Sequence, residues 1–288
     1  MKNNLQSTLN WDIRQETLML SGTINSGKKA ILRNDTNQLL GVVGQNYEPI
    51  TNGQLLHLID KFCKIGEFTL EGFHELNDGK IILAFLKGMP AQSLINGCEN
   101  EEYLFIGNSF DGSKRFHVGT ASTLVRCSNQ FMSTLKIFSK KHISLLNMTE
   151  LEAQVILKKY GEKKDLLFDS FNALENVKVD EKLVNQLISE VYRLLNTGRT
   201  IKTHDWQNNS SMIQLQDAID REMKDLGNNA FALFNGVTWY TTHKLRSNNA
   251  IYSQMNGTAY RINQKAYRFC QNLKRKKFNL KIKDEPAY

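Results

Sequence analysis

The sequence predicts an α+β fold, with an antiparallel sheet and a crossing helix in the N-terminal half and helices in the C-terminal half. Two observations predict it. Before about residue 148, short apolar runs are separated by turn signals such as Asn77-Asp78-Gly79, whose residues readily adopt the positive φ of a tight hairpin. After that point, apolar residues recur at helical spacing between residues that cap helices.

In the N-terminal half, Thr51 or Asn52 is suited to cap one clear helix, and Gly66 is suited to end it. Short strands are predicted around this helix, at residues 39–44, 68–70, 81–86, 103–106, 115–118 and 123–127. A second helix is predicted over residues 130–138, with Asn129 as its cap.

In the C-terminal half, Thr149 and Glu152 match a capping box that opens a helical pattern continuing to about residue 174. Asp180 is suited to cap the next helix and Gly198 to end it. Another helix follows and stops at Gly227. Residues 1–38 are predicted to be an N-terminal arm or hairpin, 39–148 a β-rich α+β part, and 149–288 a helical part with a basic helix and tail. Three prolines leave little room for a linker, so we expect one continuous globular unit.

Composition points to a cytoplasmic protein. The chain is 41% hydrophobic and 23% charged, which is typical of soluble globular proteins. No apolar run approaches the roughly 20 residues that a membrane helix needs, so no membrane partner is expected. Four cysteines lie scattered without CxxC spacing, which favours a reducing compartment and no disulfide framework.

The net charge is concentrated at one end. Residues 261–288 hold nine Lys/Arg against two acidic residues, which is +7 of the chain's total of +8. Residues 1–260 hold 28 basic and 27 acidic residues and are nearly neutral. A cationic segment of this kind is typical of proteins that bind a polyanion.

This basic segment is predicted to begin as an amphipathic helix. An apolar stripe recurs at helical spacing at Ala259, Ile262, Ala266, Phe269 and Leu273. Cations and aromatic rings accompany it at Tyr260, Arg261, Lys265, Tyr267 and Arg268, and more cations follow at Lys274, Arg275, Lys276 and Lys277. Cations beside aromatic rings suit a single strand, because phosphates meet the charges while bases stack on the rings. Beyond the helix, apolar and polar residues alternate over 278–282, which predicts a basic edge strand. The alternative to nucleic-acid binding is a solvated helix face and a solubilising tail, with the tyrosines packed in the protein.

Two other patterns have residue types found in phosphate-binding or catalytic sites. Residues 22–29 have the spacing of a phosphate-binding loop, but Lys29 replaces the Ser or Thr that ligates magnesium, and no helix follows directly. A glycine turn in a hairpin is therefore favoured. No histidine pairing typical of zinc sites and no GxSxG motif occur, so no metal and no cofactor are expected. Asp111, His117 and His142 could converge as an acid–base group, which would make the protein an enzyme.

Three stretches together resemble the phage- and plasmid-encoded family called domain of unknown function 932. They are residues 41–52; the set 111–113, 125–129 and 140–142; and residues 235–243 with Gly257 and Lys265-Ala266. The likeness spans roughly residues 40–273. Trp239 and Thr242 stand where the family pattern has acidic residues, so any metal or acid–base role carried by those two positions is in doubt here. The resemblance implies a phage or mobile-element setting without an established activity. A separate and more distant likeness, by analogy of fold alone, is to the single-strand annealing proteins of phages, whose core is a small sheet crossed by a helix.

Four polar residues of the second stretch lie at the predicted ends of a strand and a helix. Arg126 and Asn129 are expected where a strand ends and a helix begins, and Lys140 and Lys141 where that helix ends. They either extend a phosphate-binding track or belong to a capped structural helix.

The leading hypothesis is a protein that binds nucleic acid, specifically single-stranded DNA, in recombination or replication, and that performs no covalent chemistry. Homo-oligomers are expected if the annealing analogy holds. The alternatives are an enzyme acting on nucleic acid and an interaction protein that blocks a host factor.

Overall fold

The computed structural model describes residues 9–88, 93–95, 98–124, 129–142, 148–197, 205–247 and 250–284. The chain divides into two compact units with separate cores. The first comprises residues 1–91, 102–121 and 133–164, and the second comprises 92–101, 122–132 and 165–288. Within the described ranges, no helix is both long and apolar enough to span a membrane.

The element order confirms the predicted α+β class. The strands are β1 (Ile13–Leu20), β2 (Ile24–Arg33), β3 (Leu39–Gly44), β4 (Thr69–Leu76), β5 (Ile81–Lys87), β6 (Ser93–Ile95), β7 (Cys98–Ser109), β8 (Phe116–Leu124) and β9 (Asn129–Lys140). The helices are α1 (Asn52–Gly66), α2 (Glu150–Glu175), α3 (Glu181–Leu195), α4 (Ser210–Leu226), α5 (Ala230–His243), α6 (Ala250–Asn256) and α7 (Thr258–Asp284). Antiparallel sheets therefore occupy the N-terminal half, and mostly helices the C-terminal half.

The strands form two sheets. One has three strands in the order β1-β2-β3, and the other has six, in the order β4-β5-β7-β8-β9 with β6 paired to β7. Gly22, at φ 75°, lies in the turn between β1 and β2, and Lys29 lies within β2. Residues 22–29, which have the spacing of a phosphate-binding loop, therefore belong to a β-hairpin, as predicted.

Helix α1 supports the first core. The Thr51 side chain accepts a hydrogen bond from the Gln54 amide, and the Gln54 side chain accepts one from Thr51 in return, which completes a capping box. The helix ends at Gly66, and Glu67 then adopts a left-handed φ of 54°. Its buried apolar face packs into one cluster with Ile82 and Leu104 of the six-stranded sheet.

The second core lies among the C-terminal helices. Asp180 caps α3 by accepting the Leu183 amide at 2.9 Å, as predicted. Helices α4 and α5 approach closely at Gly236, where an added Cβ would lie 2.5 Å from the Ile219 Cα. Most of α5 is buried, which places it at the centre of this unit.

Two sequence predictions were wrong. Residues 129–140 form strand β9, so the helix predicted over 130–138, which was to begin after Asn129, is not formed. The helix was predicted from the helical spacing of Phe131, Leu135 and Phe138. Phe131, Leu135 and Ile137 also have the two-residue spacing of one strand face, and pairing with β8 decides for the strand. The edge strand predicted at 278–282 is instead the last part of α7, because no Gly or Pro interrupts the chain between Thr258 and Asp284.

The remaining differences are smaller. The strands predicted at 115–118 and 123–127 are largely one strand, β8, and residues 125–127 lie outside the described part of the chain. The predicted helix end at Gly198 also lies outside it, and α3 ends at Leu195.

Candidate nucleic-acid interface

Helix α7 buries the apolar stripe that its sequence predicts. Ala259, Ile262 and Ala266 are at most 1% exposed, and Phe269 and Cys270 are also buried. Ile262, Ala266, Phe269 and Cys270 pack into the core of the second unit with α3, α4 and α5. The burial fixes the rotation of the helix about its axis, and therefore which of its cations face solvent.

Three exposed arginines follow a spacing of seven residues on the opposite side of α7. With 3.6 residues per turn, residues seven apart lie nearly in line and about 10.5 Å apart along the helix axis. We call Arg261, Arg268 and Arg275 the arginine ridge. Arg261 donates a hydrogen bond to the Leu194 carbonyl at 3.4 Å, near the C-terminus of α3. Within the described part of the chain, Arg268 and Arg275 have no ion pair or side-chain hydrogen bond.

Lys265 lies on the same side of α7 but is already paired. Its ammonium is 2.7 Å from a carboxylate oxygen of Glu190 on α3. Both side chains are partly exposed, so this pair contributes at most about 1 kcal/mol to stability. Lys265 therefore offers less charge to a ligand than its position in the sequence suggested.

The two tyrosines proposed to stack on bases differ in their surroundings. Tyr267 packs in the core: its ring centroid lies 5.8 Å from those of Phe171 and Phe234, and its hydroxyl lies 3.1 Å from that of Ser170. Burial also raises the pKa of its phenol. Tyr267 is thus removed from the candidate interface and fits the packed-tyrosine alternative, whereas Tyr260 is half-buried.

The other predicted site residues are distributed over both units. Lys274 is half-buried, and Lys276 and Lys277 belong to α7 by their backbone, with side chains outside the described set. Arg126 lies outside the described residues. Lys140 ends β9 and the exposed Lys141 follows it, both in the first unit, whereas the arginine ridge belongs to the second.

The alternative acid–base group centres on His142. Its ring is 5% exposed and stacks on Tyr47, with centroids 4.9 Å apart. Neither ring nitrogen has a hydrogen-bond partner in the described part of the chain. Asp111 accepts the Ser113 amide at 2.9 Å, and a ring nitrogen of His117 lies 2.9 Å from the Arg115 carbonyl. A general base needs a partner that orients it, so this arrangement fits a packed histidine better than a catalytic one.

The burial of His142 predicts a pH effect on stability. Burial lowers the pKa of His142 below its ordinary value of 6.5. The unfolded chain therefore takes up a proton at a higher pH than the folded chain does, and stability present above pH 6.5 is lost as the pH falls below it. We expect the urea midpoint to drop between about pH 7.5 and about pH 5.5, and to drop less in His142→Phe, which keeps the stack on Tyr47.

His74, whose pKa burial also lowers, is unchanged in that variant and retains its own share of the pH dependence. Identical pH dependence in wild type and His142→Phe would contradict the prediction.

Residues of the family-like stretches hold the fold together. In the first unit, the Tyr47 hydroxyl donates to the Ser109 carbonyl at 2.5 Å, and the Asn52 amide donates to the Trp11 carbonyl at 3.1 Å. In the second, the buried Asn235 amide donates to Glu222 at 2.6 Å. These contacts give Tyr47, Asn52 and Asn235 structural roles in the two units.

One arrangement was missed from the sequence. The Arg221 guanidinium carbon lies 3.6 Å above the centre of the Trp239 ring. The two residues are on different helices, and only the packing of α4 on α5 brings them together. Trp239 was noticed in the sequence solely as a departure from the family pattern.

Comparison with known proteins identifies a family. The model described as Domain of unknown function (DUF932) matches residues 39–276, in agreement with the resemblance seen in the motifs. The match covers most of the 288 residues, so the chain belongs to this family. No curated protein and no solved structure matches the chain.

Proposed function

We propose that this DUF932 member binds single-stranded nucleic acid, chiefly DNA, through the phosphate backbone. The observation that supports it most directly is the arginine ridge of α7, which faces away from the buried stripe of the same helix. We place the activity in recombination or replication of phage or mobile-element DNA, and we propose no covalent chemistry.

The chemistry of the ridge suits phosphates. Arginine presents a planar fork of donors that binds a phosphate through two hydrogen bonds and stays charged at every physiological pH. The three guanidinium groups are spaced along one helix face at about the range of electrostatic screening in physiological salt, roughly 8 Å. They therefore act as neighbouring but separate phosphate sites along a strand.

The size of the ridge favours assembly of several copies along one strand. From Arg261 to Arg275 the ridge is about 21 Å long, which accommodates only a few nucleotides. Three phosphate contacts give modest affinity, and it rises when copies bind side by side on one strand. We therefore propose a homo-oligomer on DNA.

Fluorescence anisotropy tests this function. A labelled single strand of about 30 nucleotides and the matching duplex are titrated at about 50 and about 200 mM salt. We expect tighter binding of the single strand. The logarithm of affinity should fall with the logarithm of salt at a slope of about −2 or steeper, since each phosphate contact contributes roughly −0.7.

Absence of binding at the lower salt concentration would refute the proposal. The basic helix would then be a surface that docks on an acidic protein, as the host-factor alternative requires, or one that only keeps the protein in solution.

A further inference from the structure

Two cations and a histidine ring surround the one half-exposed tryptophan among the described residues. Arg221 lies over the Trp239 ring at 3.6 Å, the His243 ring centroid is 5.0 Å away, and the Lys244 ammonium is 5.7 Å from the ring centre. We call these four residues the tryptophan cluster. Arg221, His243 and Lys244 are exposed. The cluster belongs to the same unit as the arginine ridge.

The position of the Arg221 side chain is fixed by a neighbouring carboxylate. Its guanidinium also lies 3.3 Å from Glu222, which is 7% exposed and accepts the Asn235 amide. This carboxylate contacts one terminal nitrogen of the guanidinium, while the Arg221 side chain stays 45% exposed. The guanidinium plane is therefore presented to solvent in a fixed place, supported by the indole on one side.

A second Arg–Trp pair in the same chain has a structural role only, because both of its side chains are buried or ion-paired. Arg33 lies 4.0 Å over Trp11, but Trp11 is only 5% exposed and donates its indole N–H to Glu75. Arg33 is ion-paired to both Asp35 and Glu75, and its side chain is 14% exposed. That pair is closed to ligands on both sides, whereas the pair of Arg221 and Trp239 is open.

We propose that the tryptophan cluster binds an unpaired nucleobase of a single strand, a proposal that rests on the function proposed above. Bases stack on aromatic rings and on guanidinium planes, and such stacking tolerates any base sequence. The base extends the stack formed by Trp239 and Arg221, and Lys244 meets an adjoining phosphate. The cluster thus selects single strands, since a base within a duplex is already stacked and paired.

The test separates bases from phosphates. Wild-type protein and Trp239→Leu are titrated by anisotropy with an oligothymidine and with an abasic strand of equal length. We expect W239L to bind the oligothymidine about tenfold more weakly, given the worth of one stacked base. Its affinity for the abasic strand should equal that of wild type, and Trp239→Phe should retain most of the oligothymidine affinity.

The outcomes distinguish the two proposals. Unchanged affinity of W239L for both strands, or an equal loss on both, would overturn the base site and leave backbone binding in place. Failure of wild type to bind either strand would overturn both proposals. Should W239L prove unstable in a thermal melt, Arg221→Ala removes the outer plane of the stack at an exposed position and is expected to show the same selective loss.

Discussion

Reversing the charge of the arginine ridge is expected to reduce the affinity for single-stranded DNA by about a hundredfold or more. Each charge-assisted hydrogen bond is worth roughly 1.5–3 kcal/mol, and 1.4 kcal/mol is a factor of ten. In R261E/R268E/R275E the affinity should fall on every sequence alike, because phosphates carry no sequence information. The salt slope measured by anisotropy should become shallower by about 2.

A matched control separates the ridge from net charge. Lys28, Lys158 and Lys178 are exposed and lie away from α7 along the chain, and their reversal to glutamate changes the net charge by the same amount. This control should lose only the general, long-range part of the attraction and keep most of the salt slope. Equal losses in the two triple variants would contradict the ridge as the binding surface.

Replacing Gly236 by alanine is expected to destabilise the second unit by about 3 kcal/mol. The new methyl would lie 2.5 Å from the Cα and 2.9 Å from the amide nitrogen of Ile219. Both atoms belong to the backbone of α4, so no side-chain rotation relieves the overlap and the helices must separate. A lower midpoint of thermal unfolding, followed by circular dichroism, would show it.

Gly161 provides the control, because it is also a glycine within a helix. A Cβ at Gly161 of α2 meets no atom within 4 Å. Gly161→Ala should therefore raise stability by about 0.5–1 kcal/mol, the gain expected from alanine in a helix interior. Similar unfolding midpoints for Gly236→Ala and wild type would show that α4 and α5 are not held as closely as the structure has them.

Local signals predicted most of the elements. Thr51 and Asp180 cap helices, and Asn77, Asp78 and Gly79 make a hairpin with positive φ at all three residues. Such signals act within a few residues and do not depend on the rest of the chain. The helix predicted over 130–138 was wrong because the apolar residues of this segment include a set with strand spacing beside the set with helical spacing, and pairing with β8 decided the outcome.

The candidate site was predictable only in part. The amphipathic pattern of residues 259–273 indicated which side of α7 is buried, and the structure confirms that side. Nothing in the pattern indicated that Lys265 is paired with Glu190 or that Tyr267 packs against Phe234. These partners lie far away in sequence, on other helices.

By itself, the sequence determined the fold class, the family, and a cationic helix at the C-terminal end, because composition, capping and hydrophobic period are properties of short segments. Tertiary structure alone decided which cations are left for a ligand and where an aromatic ring meets them. Lys265 is paired by the approach of α3, and Arg221 reaches Trp239 through the packing of α4 on α5. The physical reason is that ion pairs and ring stacking act over a few ångströms, so they depend on distances that only the packed helices set.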